Sequence, residues 1–334
     1  MQLRYEEIFL SGASSNELET VERLVSESPH ATIYHSISWN RLIVDLLNVD
    51  CIYGIAFTGE EPAGLIYFYL EEGSLLSPKY DPFDSLYGGP VYLAAHSIKI
   101  AEFILKSTEK KYRSHNLIFR FSPSLSRDIR HLYRGCVEMN TAIIDLDVGK
   151  DAYWRNLKKN VRRDIRLSER RGVKVRLGEE KDYSGYYEMR SRALSFEHED
   201  DIIGKNLFID FMKLGIKKEI MRFLVAEFDG KMIAGALFGV WNHKMYYHSS
   251  AFDREHGALC ANDLLQWEQI GWAIDNKFNS YDMCYIEPIR YPGIAKFKMK
   301  FGDSLAPFYV VSKRSFSNKI KSRVELLFSP RKKK

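Results

Sequence analysis

The chain has 334 residues, 45% apolar and 28% charged, enough for two domains that each bury a core and unlike a disordered or fibrous chain. Its four cysteines, Cys51, Cys136, Cys260 and Cys284, lie far apart without CxxC pairs or clustered histidines. Neither a metal site nor a disulfide framework is expected, and buried free thiols suit a reducing cytoplasm. The formal net charge of +5 is concentrated: residues 155–176 hold ten Lys/Arg against two acids, and residues 313–334 hold nine against one. The remainder is therefore acidic, and such local basicity points to a polyanionic partner.

The N-terminus, Met1-Gln2-Leu3-Arg4-Tyr5-Glu6-Glu7, opens with charges and lacks the apolar stretch of a signal peptide, so a cytoplasmic location is expected. Apolar runs such as residues 65–70 are strand-sized, far short of a membrane span. Residues 54–67 read as two strands around a tight turn at Gly59. A strand around Gly89–Leu93, a helix over 97–111 and a strand over 117–121 are predicted to follow, and residues 141–146 read as a strand that closes the first half.

Between the halves, residues 154–172 predict one helix. On a wheel of about 3.6 residues per turn, Trp154, Leu157, Val161 and Ile165 share one face, while Arg155, Lys158, Lys159, Arg162, Arg163, Arg166 and Arg170 spread over the neighbouring ones. Gly172 supplies the stop. Like charges so close repel, and a bound anion would offset that cost, which makes Arg162 and Arg163 candidate phosphate ligands; a solvated helix docked by its apolar stripe is the competing reading. His198, in an acidic segment, is a weaker candidate base.

The second half then restates the first. Residues 225–238 read as a hairpin turning at Asp229-Gly230, followed by a strand (244–252), a helix (261–277) and a strand (281–285). At a constant spacing of 171 residues Phe57 matches Phe228, Gly59 matches Gly230, Ala63 matches Ala234 and Gly64 matches Gly235. Beyond a Pro-Gly break, Ile294 to Gly302 forms a brief helical stretch that sets Lys298 between Phe297 and Phe301 beside a cleft. An ammonium there can stabilise a phosphate or a developing oxyanion; Lys296, Lys298 and Lys300 also fit a merely solvated face. Residues 313–334 carry Phe316, Ile320, Val324, Leu327 and Phe328 at helical spacing among basic residues, a pattern suited to an anionic membrane surface or to a frayed terminal helix.

The repeated order of hairpin, strand, helix and strand resembles the GNAT acyltransferase superfold. That resemblance implies an α+β chain of tandem GNAT-like domains, each a mixed, mainly antiparallel sheet flanked by helices, over 1–146 and 147–312 with a basic amphipathic tail over 313–334. It also implies a pyrophosphate-binding turn at residues 254–259, where Arg254 and Gly257 become donor ligands, although the segment matches the glycine-rich loop of that fold only in part.

Residues 154–175, 228–234, 246–248, 266–273 and 297–302, with Tyr87-Gly88-Gly89-Pro90 in the first half, together resemble the Fem family of peptidoglycan-bridge aminoacyltransferases and its FemAB-like relatives, from about Trp39 to Tyr309. The resemblance implies acyl or aminoacyl transfer to an amino group of a nucleotide- or lipid-linked envelope glycan precursor. It carries to Lys298 a role at phosphate or in the transition state; Tyr247, a polar group at the strand end or else a sheet-packing tyrosine, is the second catalytic candidate, and Trp39, Tyr87, Gly89, Arg162, Arg163 and Lys300 are candidate substrate contacts. No cofactor is expected to be resident; the donor is aminoacyl-tRNA by preference, with acyl-CoA as the alternative. Departures bear on the acceptor: Asn40-Arg41-Leu42 follows Trp39 where family ligases place a lysine, and Ala193 and Phe196 stand where they tend to carry threonine and arginine. A non-catalytic protein that binds RNA or a membrane surface on the same fold is the second reading.

Overall fold

A computed structural model describes residues 2–71, 74–76, 83, 86–130, 132–133, 135–196, 203–302 and 304–313. His198 and the tail beyond Lys313 lie outside the described residues. The chain forms two compact units, one running to Glu138 and resumed from Phe308, the other spanning Met139–Pro307.

The first unit begins with β1 (Leu3–Phe9), α1 (Ser15–Glu27) and α2 (Ile37–Leu47), then β2 (Asp50–Thr58), β3 (Glu61–Glu71), β4 (Ser74–Leu76) and β5 (Val91–Tyr92). α1 starts at a capping box, with Ser14 and Glu17 each bonding the other's backbone N–H. β1, β2 and β3 pair antiparallel in that order, and β3 also pairs with β4 and β5. Gly59, at φ +65°, makes the β2–β3 turn. Ile52, Ile66 and Phe68 pack against Ile100, Ala101, Ile104 and Leu105 of α3 (Ile98–Lys111). A short sheet completes the unit, in which β6 (Leu117–Arg120), followed by α4 (Pro123–Ile129), lies on one side of the C-terminal strand and β7 (Val137–Thr141) on the other.

The second unit comprises β8 (Ile143–Asp145), α5 (Lys150–Asn156), α6 (Lys159–Arg170), β9 (Lys174–Leu177), α7 (Glu180–Phe196), α8 (Lys205–Lys217), β10 (Met221–Phe228), β11 (Lys231–Trp241), β12 (Lys244–Phe252), α9 (Ala261–Asp275), β13 (Ser280–Asp282) and α10 (Pro292–Lys298). The final strand, β14 (Ala306–Lys313), returns to pair with β6. The sheet order is β8-β13-β12-β11-β10-β9, antiparallel except for β12 against β13. Alternation along the strands gives the sheet two apolar faces. Ala234, Ala236 and Phe238 join Leu264 and Leu265 of α9 and Val161 and Ile165 of α6 in one cluster. On the opposite face Tyr186 of α7 packs on Phe223 and close to Gly235.

The expected α+β architecture holds, with three differences in detail. Residues 143–145 do not close the first unit: β8 pairs antiparallel with β13 in the second, so the boundary falls at Glu138 rather than at 146, and residues 308–313 belong with the first unit. The basic segment is two helices, because Leu157 and Lys158 adopt ψ of 140° and 143°. Leu157 is thereby buried in the core and Lys158 donates to the Met299 carbonyl, tertiary contacts that override helix propensity.

The repeat is real in its architecture, but its register lies one residue from the letter match. Across the first turn Thr58 faces Glu61 and Ala56 faces Gly64; across the second Phe228 faces Lys231 and Ala226 faces Ala234. Gly64 is thus the counterpart of Ala234, and each lies on the face covered by the following helix. Gly235 points the other way, since a one-residue slip exchanges the faces of a strand.

Candidate active site

The site lies in the second unit, where two adjacent strands part. β12 runs parallel to β13 from Lys244↔Ser280 to Tyr246↔Asp282 and then continues to Phe252 while β13 ends. Among the described residues no strand pairs with that edge of β12 beyond Tyr246. On its other edge the register with β11 shifts between Leu237 and Phe238, leaving His248 as the extra residue of a bulge.

Tyr247 is buried, stacked on Phe238, and donates its hydroxyl to Ser250 Oγ. Burial pushes that hydroxyl well above the usual tyrosine range, so it remains a proton carrier at neutral pH. Behind it Tyr281 donates to Gln266 Oε1 of α9 at 2.6 Å. Lys298, at the end of α10, reaches back with Nζ 5.4 Å from the centre of the Tyr247 ring and donates to the Tyr285 carbonyl at 2.8 Å. Pro292 at the first turn of α10 fixes the helix start, and the helix is short enough that its last residue is buried at the parting of the strands. Thr141 and the Cys284 N–H both donate to buried Asp282, which holds the end of β13 in place.

His248 is held neutral, its pKa lowered to about 3, first by burial and then by the Arg190 charge. A histidine in that state accepts a hydrogen bond but does not carry positive charge at pH 7.

The other sequence candidates fall in different places. Lys300 is a bracket between helices, with Nζ 2.7 Å from Asp263 of α9 and 3.7 Å from Asp164 of α6. Burial raises the Asp263 carboxyl more than the Lys300 ammonium lowers it. Arg163 is exposed but grips Asp164 at 2.8 Å, and Arg162 donates to the Arg155 carbonyl at 2.9 Å, capping α5. Both still line an open groove of ≈ 670 Å³ along α6, with Lys159, Arg166, Glu169 and Arg170. Arg254 and Gly257 are exposed on the short helical turn Arg254–Leu259 that leads into α9, where the Asp253 carboxylate accepts from the Glu255 N–H and from His256. A Cβ at Gly257 would make only ordinary contact with Phe252, so the structure places no steric demand for glycine there.

Trp39, Tyr87 and Gly89, expected as substrate contacts, lie in the packed interior of the first unit. Trp39 and Tyr87 are fully buried in the first unit, each edge-on to Tyr34. Gly89 lets the chain lie against β6: its N–H donates to the Arg120 carbonyl at 2.8 Å, and a Cβ would stand 2.8 Å from Phe121.

Sequence reading missed the Tyr285 carbonyl, Ser250, Gln266 and the Asp164–Lys300–Asp263 bracket. Asp164, one of only two acids among the ten basic residues of 155–176, is the signal that could have found the bracket.

Residues 155–299 match the model of the acetyltransferase (GNAT) domain family. Among solved structures the chain is similar to FemX, at 12% identity over 96% of this chain and 100% of that one, with a TM-score of 0.68. It is also similar to the C-terminal DUF2156 domain of a putative lysylphosphatidylglycerol synthetase from Agrobacterium fabrum (12% identity, 94% and 97% covered, TM-score 0.53). A tandem GNAT protein from the clavulanic acid biosynthesis pathway is comparable (11% identity, 93% and 98% covered, TM-score 0.52). No curated protein matches the chain significantly. At these identities the structural likenesses speak for the fold. The match over 155–299 and the fold mark the second unit as a GNAT acyltransferase domain. The chain as a whole shares the fold of FemX and of the tandem GNAT protein.

Proposed function

We propose that the second unit transfers an aminoacyl or acyl group to an amino group of a phosphate-linked cell-envelope precursor, with aminoacyl-tRNA as donor. The observation that carries this reading is the Lys298 ammonium, buried over Tyr247 at the point where β12 and β13 separate. In the reaction the acceptor amine attacks the carbonyl carbon of the donor ester, a C–N bond forms and the C–O bond breaks. The proton lost by the amine nitrogen passes to the leaving oxygen. Lys298 is assigned to the negative charge that develops on oxygen, and Tyr247, kept protonated by burial, to proton donation at the leaving group.

The basic groove along α6 supports a donor or acceptor rich in phosphate. A likeness to a protein whose name denotes the joining of a lysyl group to phosphatidylglycerol supports aminoacyl chemistry on an envelope acceptor. Such a protein would work at the inner face of the membrane. The edge of β12 beyond Tyr246, which pairs with no strand among the described residues and lies next to the turn that opens α9, favours a second donor reading, acyl-CoA, in which the bond broken is C–S.

Purified protein incubated with cell extract and labelled amino acid or acetate separates the donors. Ribonuclease-sensitive incorporation of the amino acid into envelope precursors is the expected result. Ribonuclease-resistant acyl transfer with stoichiometric release of free CoA would replace tRNA with acyl-CoA, and no transfer of either kind would overturn the reading.

A further inference from the structure

The loop that delivers Lys298 to the site presents an apolar tip to solvent. Ile289 is 93% exposed and Ile294, at the start of α10, is 37% exposed. Single exposed aliphatic residues are common on proteins and by themselves carry no meaning. Here, however, the tip is built. Glu287 accepts from the Ile289 N–H at 3.0 Å and from the Tyr285 hydroxyl at 3.2 Å, and its carbonyl accepts from the Tyr291 N–H at 2.9 Å. These bonds close a turn that holds Pro288, Ile289 and Arg290 outward.

Along the chain on either side of the tip the charges are basic apart from Glu287. Arg290 lies over the Tyr291 ring, and Lys296 is exposed on α10. From Ile286 to Lys300 the only acid is Glu287, which is engaged within the turn. An apolar point fringed by cations fits a surface that offers anionic head groups above hydrocarbon. It fits RNA poorly, because isoleucine cannot stack on bases and gains nothing beside phosphate.

We infer that residues 287–294 form a wedge that enters the interface of an anionic membrane and presents the Lys298 site to a lipid-linked acceptor. The inference deepens the proposed function by choosing the lipid-linked class of precursor. The contact is peripheral and involves one turn of chain. Tyr285 and Lys298, joined by a hydrogen bond, flank the loop on either side, so the reacting position stays next to the anchored segment.

The test uses the full chain and vesicles of equal parts phosphatidylglycerol and phosphatidylcholine, with phosphatidylcholine vesicles for comparison. Sedimentation is run at about 0.5 M salt, where charge attraction by the basic tail is strongly screened. Ile289→Asp is expected to lower partitioning onto the anionic vesicles on the order of tenfold. Leu177→Asp, at a 54% exposed apolar residue of β9, is expected to leave partitioning unchanged. Both variants should melt at the wild-type temperature. Equal partitioning of wild type and Ile289→Asp overturns the inference, as does a wild type that stays in the supernatant or an equal loss with Leu177→Asp. Sedimentation needs neither donor nor acceptor, so failure here leaves the transfer reaction standing, and an inactive protein that still partitions through Ile289 would instead defeat the proposed function.

Discussion

The Lys298 ammonium is bound to the Tyr285 carbonyl at 2.8 Å, so the last residue of α10 is tied back to the loop that leads into that helix from β13. The hydrogen bond fixes the position of the buried ammonium through the dipole of a carbonyl. Lys298→Met keeps the bulk of the stem and removes the charge. Turnover should fall by about two to three orders of magnitude with little change in melting temperature, judged by single-turnover kinetics beside thermal denaturation. Wild-type turnover would reduce Lys298 to a packing residue.

Charge reversal in the α6 groove should act on binding. Lys159→Glu with Arg170→Glu alters two exposed groove residues without touching the Asp164 bracket. KM for the phosphate-bearing substrate should rise at least tenfold while kcat holds, and its dependence on salt should become shallower. Unchanged KM values for donor and acceptor would remove the groove from the site.

Lys300→Met should destabilise the second unit by about 1–3 kcal/mol, because buried Asp263 would lose its cation and the link between α6 and α9 would go, Asp164 keeping only Arg163. The loss should appear as a lower midpoint in urea. A variant that raised KM without losing stability would return Lys300 to the substrate.

Acid should weaken the fold partly through His248. Its folded pKa of about 3 lies below the ordinary histidine value of 6.5, so between those values the unfolded chain binds the extra proton. The stability this neutral ring contributes is fully present above pH 6.5 and is lost as pH falls toward 3, by up to about 1.4 kcal/mol per pH unit. His248→Gln should flatten the stability profile in that window relative to wild type. Parallel profiles would show that His248 protonates freely in the folded protein.

The sequence carried the order of elements well, because alternation in the hairpins, the Asp229-Gly230 turn and the Pro292 helix start are local signals. It carried register poorly. Matching Gly64 to Gly235 pairs two glycines that keep space for different helices, and only cross-strand partners reveal that Ala234 is the counterpart. The break at Leu157-Lys158 has no proline or glycine to announce it and depends on where Leu157 is buried. Lys298 stands out in the sequence between Phe297 and Phe301, but the ring its ammonium lies over is that of Tyr247, and the Tyr285 carbonyl that holds it is backbone and has no letter. Trp39 and Tyr87 show the converse: a large aromatic residue reads alike whether it lines a site or fills a core.

The assignment of β14 to β6 sets a timetable for synthesis. As the chain leaves the ribosome, everything up to Glu138 emerges with β6 still lacking the neighbour that pairs with Leu117–Arg120, and that neighbour is made only after the whole of Met139–Pro307. The amino-terminal unit therefore waits until residues 306–313 have been made before its last ladder can close, while the β8–β13 ladder is available earlier. A pairing over so long a span of chain is slow to form and leaves a bare strand edge in the meantime. A gene fragment that stops at the apparent end of the first repeat would keep that edge permanently and is expected to aggregate, even though it contains every residue of α3 and its core.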